Sequence, residues 1–179
     1  MFAIDKTIML LIDVQGQLAN LMYEKETLFK SLGVMIQGMK ILGVPIIWME
    51  QIPDNLGPTT EAVSKHLSGE EPIEKFSFSC CEEPRFMDKF KKAGRTQILL
   101  TGIETHICVF QTGYDLIKQG CDVQVVTDCV SSRLKENKET GIQRIVQSGG
   151  KVTCVEMVFF ELMRAAKGDQ FKQIVRLIK

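Results

Sequence analysis

The stretch Thr7–Asp13, T-I-M-L-L-I-D, decides the fold class of this chain. It is a short, nearly continuous apolar run that ends in a carboxylate, a pattern typical of a strand buried on both faces of a sheet. Four further runs of this kind follow at Val44–Glu50, Gln97–Gly102, Asp122–Asp128 and Lys151–Val155. Because parallel sheets are built from such runs, we predict that these segments form one mainly parallel sheet.

Segments with apolar residues at three-to-four spacing separate the strands and predict helices. The predicted helices span Glu24–Gly43, Thr60–Leu67, Glu82–Ala93, His106–Gln119, Lys135–Ser148 and Gly168–Lys179. Most of the segment Gln51–Ser79, which is rich in Pro and Gly, is predicted to be irregular. The alternation predicts an α/β fold, a three-layer α/β/α Rossmann-like sandwich with five to six strands. No repeat or linker interrupts it, so we expect residues 1–179 to form one domain.

The balance of charge and hydropathy excludes several classes of partner. The chain has 22 Lys and Arg residues against 22 Asp and Glu residues, so its formal net charge is zero. Without a basic excess to neutralise a phosphate backbone, we expect no nucleic-acid partner. No apolar run approaches the length of about 20 residues that spans a membrane, so we expect no membrane partner. The N-terminal run, interrupted by Asp5 and Lys6, does not resemble a signal peptide, which predicts a cytoplasmic protein with six free cysteines.

Several common functional motifs are missing from the sequence. It contains no G-x-G-x-x-G or Walker A loop, no G-x-S-x-G elbow and no H-E-x-x-H helix. The only histidines are His66 and His106, and Cys80 and Cys81 are adjacent rather than spaced as C-x-x-C. We therefore expect neither a metal site nor a bound cofactor.

The carboxyl ends of the predicted strands are the place to look for a site, because ligands of open α/β sheets bind there. Cys108 follows the third strand at the start of a helix, where unpaired N–H groups favour a thiolate and can hold an oxyanion. Cys108 can equally be a small buried apolar residue. Asp13 ends the first strand and can accept a thiol proton or simply cap a helix. Lys75 can stabilise both anions, or it can be an ordinary surface lysine.

Three segments together resemble a known family. L-I-D-V-Q (11–15), E-K-F-S-F-S (74–79) and G-I-E-T-H-I-C-V (102–109) are similar to the signature segments of the isochorismatase-like cysteine hydrolases, in order and spacing over Thr7–Leu162. The segments Trp48–Thr59, Asp128–Arg133 and Cys154–Met163 resemble those of isochorismatase-domain-containing proteins, a branch mostly without an assigned substrate.

This resemblance implies a catalytic triad of Asp13, Lys75 and Cys108 that hydrolyses a small molecule, at an amide or related C–N bond, through a covalent thioester-type intermediate. It also implies a cis peptide between Ile103 and Glu104, which would let the N–H groups of Glu104 and Cys108 form the oxyanion hole. Members of the family assemble as dimers, tetramers or larger rings, so a homo-oligomer is expected. The apolar segment Met157–Met163 is a candidate subunit surface, or else ordinary core.

Six residues near the strand ends are candidates for the substrate pocket. They are Gln17, Glu50, Gln51, Ile103, His106 and Arg133. Nicotinamidases of the superfamily carry a metal-binding D-x-H segment where this chain has Glu50-Gln51-Ile52, without histidine, which supports the expectation of no metal. His106 can orient substrate or merely begin a helix, and Arg133 can bind a carboxylate, anchor a neighbouring subunit or form a structural ion pair.

Two alternatives to hydrolysis remain open at this point. The chain can be a catalytically silent member that acts by binding or assembly. It can also be a thiol redox sensor in which Cys108 pairs with Cys80 or Cys81.

Overall fold

The computed structural model describes residues 1–179 and contains one sheet of six strands. The strands are β1 (Thr7–Ile12), β2 (Ile46–Gln51), β3 (Ile73–Lys75), β4 (Gln97–Ile103), β5 (Asp122–Ser131) and β6 (Lys151–Thr153). Their order across the sheet is β3-β2-β1-β4-β5-β6, and every neighbouring pair is parallel. The predicted α/β class and parallel sheet are therefore confirmed.

Nine α-helices connect or flank these strands. They are α1 (Gly16–Asn20), α2 (Lys25–Leu42), α3 (Pro53–Leu56), α4 (Glu61–Ser64), α5 (Pro84–Ala93), α6 (Phe110–Lys118), α7 (Lys135–Gln147), α8 (Val155–Met163) and α9 (Gly168–Ile178). A π-helical turn, Thr105–Val109, precedes α6, and a 3₁₀ turn, Cys80–Glu82, precedes α5. None of the helices combines the length and apolar character needed to cross a membrane.

The interpretation of Gln51–Ser79 as mostly irregular is wrong in one consequential place. The segment contains β3, which adds a sixth strand at the sheet edge, and also the short helix α3. β3 is only three residues long and is held by its pairing with β2, in which Gln51 lies opposite Lys75. A strand this short has no periodicity of its own, so sequence analysis missed it. The helices α1 and α8 were also not predicted.

Two apolar layers hold the helices against the sheet. In β1, Met9 and Leu11 pack on one face with residues of α2, α8 and α9. Ile8, Leu10 and Ile12 pack on the opposite face with residues of α5, α6 and α7. Each such buried side chain contributes about 1.5–3 kcal/mol. This burial on both faces explains the unbroken apolar runs and fixes where the strands end.

The sheet opens at its carboxyl edge next to β4. The pairing of β4 with β5 shifts, so that Leu100 lies opposite Val125 while Gly102 lies opposite Val130. Gly102 has a φ of 113°, and a Cβ there would lie 2.0 Å from the carbonyl oxygen of Ile12. Only glycine fits this close approach of β4 to β1. The chain leaves β4 directly into the turn that carries Cys108.

Candidate active site

Asp13 lies immediately after β1 and is almost completely buried. Its Oδ2 atom accepts a hydrogen bond of 2.7 Å from the Lys75 Nζ atom. Its Oδ1 atom is also buried and accepts no hydrogen bond. Burial raises the pKa of the Asp13 carboxyl, although the neighbouring Lys75 ammonium opposes the shift. The carboxylate thus has one oxygen committed to Lys75 and one oxygen available for a proton.

Lys75 is fully buried at the end of β3, so the interpretation of this residue as a surface lysine is wrong. Its ammonium donates to Asp13 Oδ2, to Gln51 Oε1 at 2.6 Å, and to the carbonyl oxygens of Ser77 and Phe78 at 3.1 and 3.3 Å. Burial is the largest influence and by itself would lower the pKa of Lys75, but Asp13, Cys108 and Cys80 together outweigh it and the pKa is raised. Lys75 is therefore a held cation.

Gln51 anchors this cation and is itself held in place by Gln15, a residue that sequence analysis missed. Gln51 Nε2 donates to the Phe76 carbonyl at 2.7 Å. The backbone N–H of Gln51 donates to Gln15 Oε1 at 2.6 Å, and Gln15 Nε2 returns a bond to the Gln51 carbonyl at 3.1 Å. The sequence signals for Gln15 are its place two residues after Asp13 and its position at the end of the L-I-D-V-Q segment. These bonds fix the orientation of Gln51 and, through it, that of Lys75.

Cys108 lies in the π-helical turn between β4 and α6 and is 7% exposed. Burial raises the pKa of the Cys108 thiol well above its ordinary value of 9.0, and the nearby Asp13 carboxylate adds to the shift, while Lys75 opposes it. This burial opposes the expected stabilisation of a thiolate by the helix N-terminus. Burial thus favours the neutral form of the Cys108 thiol.

Glu104 and Arg133 form an ion pair behind this turn. The Ile103–Glu104 peptide bond is cis, as the family resemblance implies. Glu104 Oε2 accepts from the backbone N–H of Arg133 at 3.1 Å and from its Nε at 3.3 Å, and Oε1 lies 3.2 Å from a terminal guanidinium nitrogen. Glu104 is 6% exposed. Of the roles considered for Arg133, the structure shows the structural ion pair.

His106 contacts the same loop beyond β5, because its Nδ1 atom lies 3.0 Å from Ser132 Oγ. A Cβ on Gly141 of α7 would lie 2.6 Å from the Thr105 carbonyl carbon, which shows how closely this helix packs on the turn. His106 is not among the residues that line the cavity beside Cys108. Its contacts are those of a residue that holds the start of the helix.

Asp13, Gln51 and Cys108 line one small cavity, which we call the catalytic pocket. Its volume is about 160 Å³. The complete lining consists of Asp13, Leu18, Gln51, Leu56, Phe78, Ile103, Glu104, Ile107 and Cys108. Ile103 and Gln51 are where the sequence prediction placed them, whereas Leu18, Leu56 and Phe78 were missed. Phe78 is 56% exposed at the mouth of the pocket, directly after the Lys75 segment.

Gln17 and Glu50 lie elsewhere, which corrects their expected place in this pocket. Both line a second cavity of about 780 Å³, which we call the polar cavity. Glu50 Oε1 accepts hydrogen bonds of 2.7 Å from both the N–H and the hydroxyl of Thr59. Leu56 borders both cavities. No group of three or more His, Cys, Asp or Glu side chains is arranged to hold a metal ion.

Known proteins share this sequence pattern over most of its length. The family model described as "Isochorismatase domain" matches residues 7–157. A protein of Phytophthora sojae, described as a secreted isochorismatase effector, is 35% identical over 97% of this chain and 84% of its own length. Isochorismatase domain-containing protein 2 of Danio rerio is 31% identical over 96% of this chain and 86% of its own length.

The fold is also similar to that of a solved protein from Caenorhabditis elegans, described as MAR1 ribonuclease. That structure superposes with a TM-score of 0.92 at 31% identity and covers 99% of this chain and 91% of its own.

Proposed function

The chain belongs to the isochorismatase family of hydrolases, and we propose that Cys108 is its nucleophile, acting on an amide or related C–N bond of a small molecule. The observation that carries the proposal is the convergence at one cavity. Asp13, which is joined to the buried Lys75 at 2.7 Å, lines the same pocket as the thiol. Burying two charged side chains costs free energy, and buried charged pairs of this kind are typical of functional sites.

Asp13 is the proposed proton acceptor. When a carbonyl enters the pocket, Asp13 takes the thiol proton and the Cys108 sulfur forms a bond to the carbonyl carbon. The raised pKa of Asp13 supports this role, because it brings the pKa of the base closer to that of the thiol and makes the protonated carboxyl a usable acid. Asp13 then returns the proton to the leaving nitrogen as the C–N bond breaks, which leaves a thioester.

Water completes the cycle. Asp13 accepts a proton from water, and the resulting hydroxide attacks the thioester carbonyl. The C–S bond then breaks to release the carboxylic acid, and Asp13 returns its proton to the Cys108 sulfur. Lys75 remains protonated throughout and stabilises whichever of its two neighbours carries the negative charge, a role supported by its raised pKa.

The oxyanion of the tetrahedral intermediate is assigned to the backbone N–H groups of Glu104 and Cys108. Donors fixed in advance at the developing charge are worth roughly 3–4 kcal/mol each in related chemistry. The Glu104–Arg133 pair holds one of the two donors, since Arg133 contacts both carboxylate oxygens of Glu104.

A panel of small amides and esters tests the proposal. Wild-type protein should hydrolyse at least one member, and Cys108→Ala should lose that activity. Cys121→Ala is the matched control, because Cys121 is a half-buried thiol outside the catalytic pocket. Full activity of Cys108→Ala would contradict the proposal.

Single-stranded RNA belongs in the panel because one relative is described as a ribonuclease. With zero net charge, we expect no RNA cleavage.

The raised pKa of the Cys108 thiol favours one competing function, that of a silent scaffold acting by binding or assembly. Inactivity across the panel together with an inert thiol would support that alternative. The redox-sensor alternative predicts a disulfide after mild peroxide treatment, whereas all six cysteines are free here. Mass spectrometry of peroxide-treated protein separates the redox sensor, which forms a disulfide, from the silent scaffold, which does not.

Assembly and location complete the proposal. We propose a homo-oligomer of one-domain subunits spanning residues 1–179. Exposed apolar side chains support it: Phe76 is 77% exposed beside the pocket, and Met157 is 58% exposed on α8, whose other face packs in the core. Light scattering on the purified protein would measure the number of subunits.

A cytoplasmic location stays a prediction, since one relative is described as secreted.

A further inference from the structure

We infer that the catalytic pocket accepts only a small, uncharged acyl group, so that the substrate is a simple aliphatic amide or ester. This inference rests on the proposed function and specifies the part of the substrate that is held beside Cys108. The inference concerns only the acyl group and sets no limit on the leaving group, which departs through the mouth of the pocket.

The size of the pocket sets the first limit. Its volume of about 160 Å³ is well below the roughly 300–1,000 Å³ of common ligand sites. Leu18, Leu56 and Ile107 supply much of its wall, with Ile103 and Phe78 completing the apolar part. An acyl group of a few carbon atoms fills such a space and gains from contact with these side chains.

Charge sets the second limit. Two negatively charged side chains line the pocket, and each already has its own cation. Asp13 is paired with Lys75 at 2.7 Å, and Glu104 is paired with Arg133 at 3.2 Å. No other charged side chain lines the pocket. A charged acyl group would therefore be buried without a partner, which is strongly unfavourable.

Hydrogen bonding sets the third limit. Gln51 is the only uncharged amide or hydroxyl side chain in the lining. Its Oε1 accepts from Lys75 and its Nε2 donates to the Phe76 carbonyl. The second N–H of the Gln51 amide is the one amide or hydroxyl donor left for a polar substituent, so the pocket offers few hydrogen bonds to hydroxylated or amino-substituted acyl groups.

Alkylation of Cys108 tests the charge limit without a known substrate. Iodoacetamide and iodoacetate have similar sizes, but only the second is charged. With each, the thiolate forms an S–C bond, the C–I bond breaks and iodide leaves. Because the same Cys108 thiolate attacks both reagents, its raised pKa cancels in the ratio of the two alkylation rates. Peptide mass spectrometry gives the rate at Cys108, and each rate is divided by that of glutathione with the same reagent. Iodoacetamide should be favoured by about tenfold or more.

A bulkier neutral reagent tests the size limit. α-Iodophenylacetamide should react with Cys108 at least about tenfold more slowly than iodoacetamide after the same normalisation. Leu18→Ala removes part of the wall and should recover several-fold of that loss, and because Leu18 is only half-buried the variant should fold. Leu21→Ala is the matched control, since Leu21 is 62% exposed and does not line the pocket.

The outcomes separate this inference from the proposed function. Equal normalised rates for iodoacetamide and iodoacetate, or no effect of reagent size, would overturn the inference while leaving Cys108 as the nucleophile. If iodoacetamide modifies the half-buried Cys81 but never Cys108, the pocket is closed to small molecules and both proposals fail.

Discussion

The catalytic pocket and the polar cavity lie side by side at the carboxyl edge of the sheet and share Leu56, yet they differ in almost every other respect. The polar cavity is larger, about 780 Å³ against about 160 Å³. Its most buried charged group, Glu50, accepts two hydrogen bonds from Thr59. The catalytic pocket instead brings together the Cys108 thiol and the Asp13 carboxylate, which the buried Lys75 ammonium holds through one of its oxygens. The larger cavity is therefore not the one lined by reactive groups. The candidate site is identified instead by the side chains of Asp13 and Cys108 that meet in the smaller cavity.

The largest difference between the two regions should appear on changing Asp13. Asp13→Asn preserves the shape of the side chain but removes the proton acceptor, and general-base catalysis contributes about 10²–10⁴-fold. Hydrolysis of a panel substrate should fall by that factor. Asp54→Asn, at an exposed carboxylate of α3, is the control and should leave the rate unchanged. A fall of less than about tenfold would remove Asp13 from the role of base.

Lys75→Met should produce the next largest effect, this time on stability. Removing one member of a buried ion pair costs about 3–5 kcal/mol, which denaturant unfolding measures. The loss should shrink as the pH falls. Burial already raises the pKa of Asp13, and its protonation removes the uncompensated charge. Lys65→Met, on the exposed surface, should cost less than about 0.5 kcal/mol. A loss for Lys75→Met that matches this control would show that the pair is not essential to the fold.

The pH dependence of Cys108 alkylation sharpens the comparison further. An ordinary thiol has a pKa near 9.0, but burial raises the pKa of Cys108 above that value. The rate with iodoacetamide should therefore still climb above pH 9.0, by about tenfold per pH unit, because only the thiolate reacts. A plateau below pH 9.0 would contradict a desolvated resting thiol.

Arg133 should have a smaller effect, because it acts through Glu104. Arg133→Ala leaves a buried carboxylate unpaired at the pocket wall and loosens the peptide that carries one oxyanion donor. We expect kcat to fall by about tenfold with little change in KM. Arg133→Lys should recover part of kcat, since it restores the charge. A change confined to thermal stability, with kcat intact, would limit Arg133 to a structural role.

Glu50→Gln should have the smallest effect on chemistry. Glu50 faces the polar cavity, and its bonds to Thr59 are outside the catalytic pocket. Hydrolysis should change by at most about twofold, because the Glu50 side chain makes no hydrogen bond to a group of the catalytic pocket and its charge is only a minor influence on the pKa of Asp13. A loss comparable to that of Asp13→Asn would mean that the two cavities work as one site.

The sequence predicted the sheet well because β1 and β4 are buried on both faces and carry a nearly continuous apolar pattern. It also placed Asp13 and Cys108 at strand ends by the positional rule for open α/β sheets. By itself it could not place Lys75. The strand β3 has three residues, and its position depends on pairing with β2, which is remote in sequence.

The finer structure of the site depends on the same kind of long-range contact. The bracing of Gln51 by Gln15 and the pairing of Glu104 with Arg133 join segments that no local pattern relates. The separation of Gln17 from the catalytic pocket has a similar cause. Gln17 follows Asp13 by four residues, which predicts that the two side chains lie close together. In the structure, α1 places Gln17 at the polar cavity instead.

Mass spectrometry of acid-quenched protein after mixing with para-nitrophenyl acetate tests the central claim most directly. This ester carries a small, uncharged acyl group that suits the catalytic pocket. The account predicts a burst of para-nitrophenolate and one acetyl group on the peptide that contains Cys108, with both strongly slowed in Asp13→Asn. Release of para-nitrophenolate without acetylation of Cys108, or an equal burst from Cys108→Ala, would contradict it.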